Sequence, residues 1–364
     1  MKKNNLFRIL ALAMALVMLV AVVACTNEGD ATATTEGATT AGATTTAKAT
    51  TKAATTAKAT TAVTTAAATT VATTAAPNAP SIYSGTPDVS WFDKENPKTE
   101  YTLTTADQFA GFFAIRQTSK GAITFEGITI KLDKDIIINA GTATEYLKSS
   151  PKAVTALASG YLFKGTFDGQ GHTVSGVYLD CTSSGVKGLF GGLGDNAVIK
   201  NLKFTNAYFD GAEKDKRVGG ILASRANGTN ILLSNITIEN ATMVESSNEF
   251  RGVGLLLGKV DKDASLTIEN CSTSGTIDFA SKGTWGYGGL IGFALENSKV
   301  TIKNSTSSAI IMGLDYCGGL VGAADPTATV TFDNSTFTGS LACTGQNSGT
   351  LIGGTKTELD ASQS

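Results

Sequence analysis

A short glycine-bounded apolar unit returns six times in this chain, and no other feature limits its fold so strongly. It reads Gly188-Leu189-Phe190-Gly191, Gly219-Gly220-Ile221-Leu222-Ala223, Gly254-Leu255-Leu256-Leu257-Gly258, Gly288-Gly289-Leu290-Ile291-Gly292, Gly318-Gly319-Leu320-Val321-Gly322 and Gly349-Thr350-Leu351-Ile352-Gly353. The small residues closing these units, 191, 223, 258, 292, 322 and 353, lie 32, 35, 34, 30 and 31 apart. A second unit follows each of the first five and ends in asparagine: Asn201, Asn235, Asn270, Asn304 and Asn334. From small residue to asparagine the offsets are 10, 12, 12, 12 and 12. A period of this length, held over successive units, marks a solenoid in which each repeat buries its apolar face against its neighbours.

Two apolar columns precede the asparagines: Ile199, Leu233, Ile268, Ile302 and Phe332, and, two residues earlier, Ala197, Ile231, Leu266, Val300 and Val330. A spacing of two puts both columns on one face of a strand. The pattern predicts coils of short parallel strands stacked at about 4.8 Å, with these columns inside. Each asparagine then occupies the same corner of successive coils, where its amide bonds its neighbours above and below and satisfies the turn backbone. Glycine at the other corner is expected to supply positive φ.

Composition agrees with an all-β chain and removes several functions. Forty glycines stand against six prolines, with many β-branched residues. Twenty-nine Lys and Arg balance 31 Asp and Glu, so no basic field exists to hold nucleic acid by counterion release. The five cysteines, at 25, 181, 271, 317 and 343, lack the close pairs of zinc or redox motifs, and His172 is the sole histidine. Neither a metal site nor a cofactor is expected. Cys271 is read as a buried thiol, and burial as free thiols is the default for Cys317 and Cys343, whose turn-proximal positions leave a pairing open.

The chain divides into five segments. Residues 1–24 combine Lys2, Lys3 and Arg8 with an apolar run and the ending Val22-Val23-Ala24-Cys25, which reads as a signal peptide with a lipobox. Cleavage before Cys25 and lipidation of its sulfur are expected, because the run is short for the roughly 20 residues of a spanning helix. Residues 25–80 are little besides Thr and Ala, with nothing large to bury against the entropy of ordering. Such a tether has an r.m.s. span of roughly 40 Å. Residues 81–122 form an N-terminal cap, with a short amphipathic helix between Thr104 and Gln117 opened by a Thr N-cap and a Gln three residues on. Residues 123–355 carry the solenoid, and 356–364 form a disordered tail that offers no lid.

The Gly-Gly-Leu-Ile/Val-Gly units, with Phe163-Lys164-Gly165-Thr166-Phe167-Asp168-Gly169-Gln170-Gly171-His172 upstream, resemble the GLUG-motif, pectin-lyase-like surface proteins of bacteria over roughly residues 100–355. The resemblance implies a right-handed parallel β-helix and a role in surface adhesion. This chain departs from the motif at Ala223 and Leu255.

Few side chains invite chemistry. His172 and Asp168 sit in a Gly-rich turn and read as turn residues. Asp195, Asp210, Glu213 and Asp215, with Lys214, Lys216, Arg217, Arg225 and Arg251, supply the acids and cations that a polysaccharide lyase on this fold needs, although a solvated charged loop accounts for the run from Asp210 to Arg217 equally well. Trp285, Tyr287 and Tyr316 precede Gly units of consecutive coils and are candidate sugar-binding aromatics, with packing against the coil as the competing role.

Two functional classes follow. The first is a noncatalytic, monomeric surface lipoprotein on the extracellular face of a bacterial membrane, displaying its solenoid to carbohydrate or to surface proteins. The second is a polysaccharide lyase or glycoside hydrolase, recognised by acidic side chains of successive coils converging within about 5–10 Å.

Overall fold

The computed structural model describes residues 79–181, 187–211, 217–245, 250–279 and 285–355. The signal segment with Cys25, nearly all of the Thr/Ala tether and the tail from 356 lie outside the described residues. What is described is a β-solenoid, almost entirely of parallel strands, with the fold class that the repeats predict.

Three sheets run along the solenoid: one of 18 short strands, one of seven and one of six. A single coil shows how they connect. Trp285–Gly288 lies in the seven-stranded sheet, the chain turns sharply through Gly289 and Leu290, and Ile291–Ala294 returns in the six-stranded sheet. It then enters the long sheet as Lys299–Lys303, Thr306–Ser307 and Ile310–Gly313, and reaches the next coil at Cys317–Gly318. Pairing between coils is parallel throughout except where Leu157–Ala158 meets Lys187–Gly188.

The core lies where the alternation puts it. Ile199, Leu233, Ile268 and Ile302 are wholly buried, as are Ala197, Ile231, Leu266 and Val300 to within 2%. Their registers coincide: Ile199 pairs with Leu233, Leu233 with Ile268, Ile268 with Ile302 and Ile302 with Phe332. Burying one such side chain contributes roughly 1.5–3 kcal/mol. In the last coil Val330, Phe332, Phe337 and Leu341 are only half-buried, because no further coil among the described residues lies over them.

At the other end a helix closes the stack. It spans Ala106–Thr118, and Thr105 caps it by accepting the Gln108 N–H at 3.1 Å. The expected amphipathic pattern is corrected: the helix is buried nearly all round, with Phe109, Phe112 and Phe113 fully covered. Phe112 meets the rings of Phe163, Phe167 and Phe190 at 5.5–5.8 Å on the solenoid side. On the opposite side Gly111 lies so close to the Asp88 carbonyl that a Cβ would overlap it. Arg116, also fully buried, donates to the Phe190 and Tyr161 carbonyls and lies against the Phe112 and Phe163 rings. Burial pushes its pKa down to about 9, so it stays charged at neutral pH.

The positive φ expected of the glycine corner is found there at Gly191, φ 64°, but elsewhere it falls mostly to the asparagine corner. The five asparagines carry the positive φ, at 54, 53, 53, 46 and 45°. Glycines 288, 289, 292, 318, 319 and 322 have no positive φ. They are needed instead for close approach: a Cβ on Gly292 would overlap the Val253 nitrogen and the Gly252 carbonyl carbon. The register also moves one unit boundary, since Ala223 pairs with Leu257 and Arg225 with Lys259. Ser224, not Ala223, therefore stands opposite Gly258, and its hydroxyl donates to the Gly191 carbonyl at 2.8 Å.

Candidate functional site

The asparagine corner is a structural device. Asn201 Nδ2 donates to Asp168 Oδ1 at 3.0 Å, Asn235 Nδ2 to Asn201 Oδ1 at 2.9 Å and Asn334 Nδ2 to Asn304 Oδ1 at 2.9 Å. Asn270 follows Glu269, the register partner of Ser234 and Lys303, and so stands between Asn235 and Asn304 in the same column. Asp168 is the foot of the column. Burial opposes its ionisation, but the Asn201 amide, Gln170 and Lys200 outweigh that and hold its pKa below the ordinary value. Two more asparagine columns escaped sequence reading. Asn240 Nδ2 donates to Asn206 Oδ1 at 2.6 Å and Asn230 Nδ2 to Asn196 Oδ1 at 3.4 Å, and all four residues have positive φ. The signal was present, as Asn recurs five residues after both Asn201 and Asn235.

His172 belongs to the turn between Thr166–Asp168 and Thr173–Ser175. Its N–H donates to the Gly169 carbonyl at 2.8 Å and its Nδ1 lies 3.2 Å from Asp135 Oδ1. Among the described residues, the lyase-candidate acids Asp195 and Asp210 lie apart from each other and from Arg225. Asp195 Oδ1 accepts the Thr229 N–H at 2.9 Å in the turn entering the long sheet. Asp210 lies in the strand Tyr208–Gly211 within that sheet, while Arg225 lies in the six-stranded sheet. Glu213, Lys214, Asp215 and Lys216 lie outside the described residues, as does the Arg217 side chain. Asp210 does have one acidic neighbour, Asp180, its register partner one coil earlier.

The aromatic candidates part company. Tyr287 is wholly buried in the main core and lies 5.8 Å from the Phe279 ring, so as a sugar platform it is corrected to a packing residue. Trp285, two positions away, belongs to a separate outer cluster with Phe293 and Ala323, against which Tyr316 and Leu295 are half-buried. Positive φ at Gly286, 86°, breaks the alternation between the two rings. Trp285 meets Phe293 at 4.8 Å and Tyr316 at 6.4 Å, both edge-on, and is 7% exposed.

This outer cluster continues into a cationic one. Along the six-stranded sheet Arg225, Lys259, Phe293 and Ala323 are successive register partners, and along the seven-stranded sheet Arg251 is the partner of Trp285. Arg251 and Lys259 thus occupy, one coil earlier, the two positions at which Trp285 and Phe293 touch. The Arg251 guanidinium lies 5.8 Å from the Trp285 ring centroid. Asp261 bridges coils: its Oδ2 is 3.3 Å from Arg225 Nε and its Oδ1 3.1 Å from Lys259 Nζ. Lys259 and Asp261 are only 9% and 8% exposed. Such a flank can hold a charged group beside an aromatic surface. Among the described residues no three His, Cys, Asp or Glu side chains converge as metal ligands.

A sulfur pair completes the region. Cys317 and Cys343 form a disulfide with Cα atoms 6.3 Å apart, which corrects the expectation of free thiols for these two. Cys271 is a buried free thiol, and burial pushes its pKa up to about 12.

No protein-family model matches the chain, and no curated protein matches it either. Among solved structures, a putative immunoglobulin A1 protease from Bacteroides ovatus aligns over 73% of this chain and 86% of its own, at 17% identity and a TM-score of 0.38. A likeness at that level carries no argument about activity.

Proposed function

We propose that the chain is a noncatalytic lipoprotein of the outer cell surface, anchored through Cys25 and held away from the membrane by its Thr/Ala tether, with the solenoid displayed for adhesion or for binding glycans or proteins. The resemblance of the Gly-Gly-Leu-Ile-Gly units to the GLUG motif, the lipobox ending at Cys25 and the low-complexity spacer support this reading. The observation that carries it is the outer flank, where Arg251 lies against Trp285 beside Arg225 and Lys259. Cations and aromatic rings are the chemistry of recognition, and the two lyase-candidate acids among the described residues, Asp195 and Asp210, lie at different places in the coil.

The test is a screen of the full-length chain against a glycan array and matrix proteins, with release of unsaturated sugars followed in parallel. Saturable binding without sugar release is the expected result; sugar release would contradict it. Replacement of Cys25 by Ala is expected to abolish incorporation of radioactive fatty acid, and retained labelling would contradict the anchor.

One observation favours the alternative of polysaccharide cleavage. Asp180 and Asp210 are register partners on adjacent coils, about 4.8 Å apart along the axis, a spacing near that of the two carboxyls in retaining glycosidases, about 5–5.5 Å. Burial, followed by Asp180 and Asp210, also raises the pKa of Tyr178 beside them. Under this reading Asp210→Asn abolishes sugar release; under the proposed one there is none to abolish.

A further inference from the structure

From the outer flank we infer a specific ligand class: Arg225, Lys259 and Arg251 form a binding site for the anionic groups of an acidic polysaccharide. The inference rests on the binding role proposed above and assigns it a place and a chemistry.

Charge is unbalanced in this cluster: among the described residues its one paired carboxylate, Asp261, meets Arg225 and Lys259, while the third cation, Arg251, lies over the Trp285 ring. Side-chain exposure is 16% for Arg225 and 11% for Lys259, so water screens them poorly and the excess charge is costly unless an anion answers it. Hydrogen bonding points the same way. The Nε atoms of Arg225 and Arg251 and Oδ2 of Asp261 are buried without a hydrogen-bond partner. Asp261 thus holds Arg225 by charge alone through that oxygen, and among the described residues the Arg251 guanidinium lies over the face of Trp285. A guanidinium so placed is ready for a carboxylate or sulfate, which it binds with paired, charge-assisted hydrogen bonds.

The arrangement also selects a polymer of sugars. Arg225, Lys259 and Phe293 succeed one another along the axis, one coil rise of about 4.8 Å each, with Arg251, Trp285 and the half-buried Tyr316 alongside. Cationic and aromatic positions therefore follow each other in a straight line. A uronate or sulfated sugar unit carries both a charge and an apolar C–H face, and repeats them at regular steps. An acidic peptide offers only the charge.

The experiment measures binding of the full-length chain to polygalacturonate, dextran sulfate, neutral dextran and polyglutamate by calorimetry. Binding to polygalacturonate or dextran sulfate is expected, weakening as salt rises, and the two arms distinguish carboxylate from sulfate. Arg251→Gln is expected to weaken it at least about tenfold. Asp261→Asn removes the competing internal anion and leaves affinity unchanged or raises it, and thermal melts establish that each variant is folded. If Arg251→Gln does not fold, a tenfold or greater loss of affinity in Asp261→Asn overturns the site. Polysaccharide binding that survives in folded Arg251→Gln overturns this site and leaves the broader binding role standing. Equal binding of neutral dextran or of polyglutamate overturns the ligand class. Failure to bind any polymer here, together with an empty glycan and matrix-protein screen, overturns both proposals.

Discussion

Asn235 donates its side-chain amide to the side-chain oxygen Oδ1 of Asn201 at 2.9 Å while both residues hold positive φ, at 53 and 54°. One residue type thereby does two jobs, bending the backbone and tying one coil to the next. Replacing Asn235 by Ala is expected to cost the left-handed penalty of about 1–2 kcal/mol together with the hydrogen bond, about 0.5–1.5 kcal/mol. Asn235→Gly should recover the backbone part only. Urea unfolding of the three proteins separates the contributions, and an Ala variant as stable as the Gly variant would contradict the account.

Close approach at the glycine corner makes a different prediction. Gly292→Ala forces a Cβ into the backbone at Gly252 and Val253, and is expected to destabilise the chain by more than about 3 kcal/mol. Gly160, with open space around its Cβ position and no positive φ, should accept Ala with a change within about 0.5 kcal/mol. Equal effects at the two sites would remove the steric explanation.

The Cys317–Cys343 disulfide spans a separation of 26 residues and closes the coil next to the half-buried C-terminal edge. Its reduction is expected to cost about 3 kcal/mol, concentrated locally because solenoid coils depend on their neighbours. Hydrogen exchange after treatment with dithiothreitol should therefore rise from 310 to 355 and stay unchanged around the N-terminal helix. A uniform rise would contradict this.

Acid should act through Asp168. Its pKa is lower in the folded chain than the ordinary 3.8, so the stability it adds is fully present above the unfolded value and is lost as pH falls through the folded one. Asp168→Asn is thus expected to be less stable than the parent at pH 7, with the gap closing below pH 3.8. A gap that persists unchanged to the lowest pH at which the parent folds would show that the Asp168 charge is not involved.

What sequence reading reached and what it missed have physical reasons. The apolar columns were legible because strand side chains alternate strictly, and Ile199, Leu233, Ile268 and Ile302 keep their parity. Asn201 to Asn334 were legible because their offset scarcely changes. The expected glycine role holds at Gly191 but not at Gly292 and its counterparts, because the residue type alone does not distinguish a left-handed backbone from a near contact with another sheet. Tyr287 was grouped with Trp285 because both precede the Gly288 unit, and position in sequence does not show that the positive φ at Gly286 sends the two rings into separate clusters. The cationic flank was half legible. Arg225 and Arg251 stood out, but Lys259 and Asp261 join them through a register that includes a unit boundary displaced by one residue.

The fold depends on coils stacked in register, and engineered disulfides test that directly. Thr301 and Thr331 are register partners on successive coils, with hydroxyl oxygens 3.4 Å apart. The pair Thr301→Cys and Thr331→Cys is therefore expected to crosslink under mild oxidation, as peptide mapping by mass spectrometry would show. The pair Thr301→Cys and Asp333→Cys, displaced by one pleat repeat, is expected to remain reduced. Preferential crosslinking of the displaced pair, or none in either, would contradict the stacked solenoid.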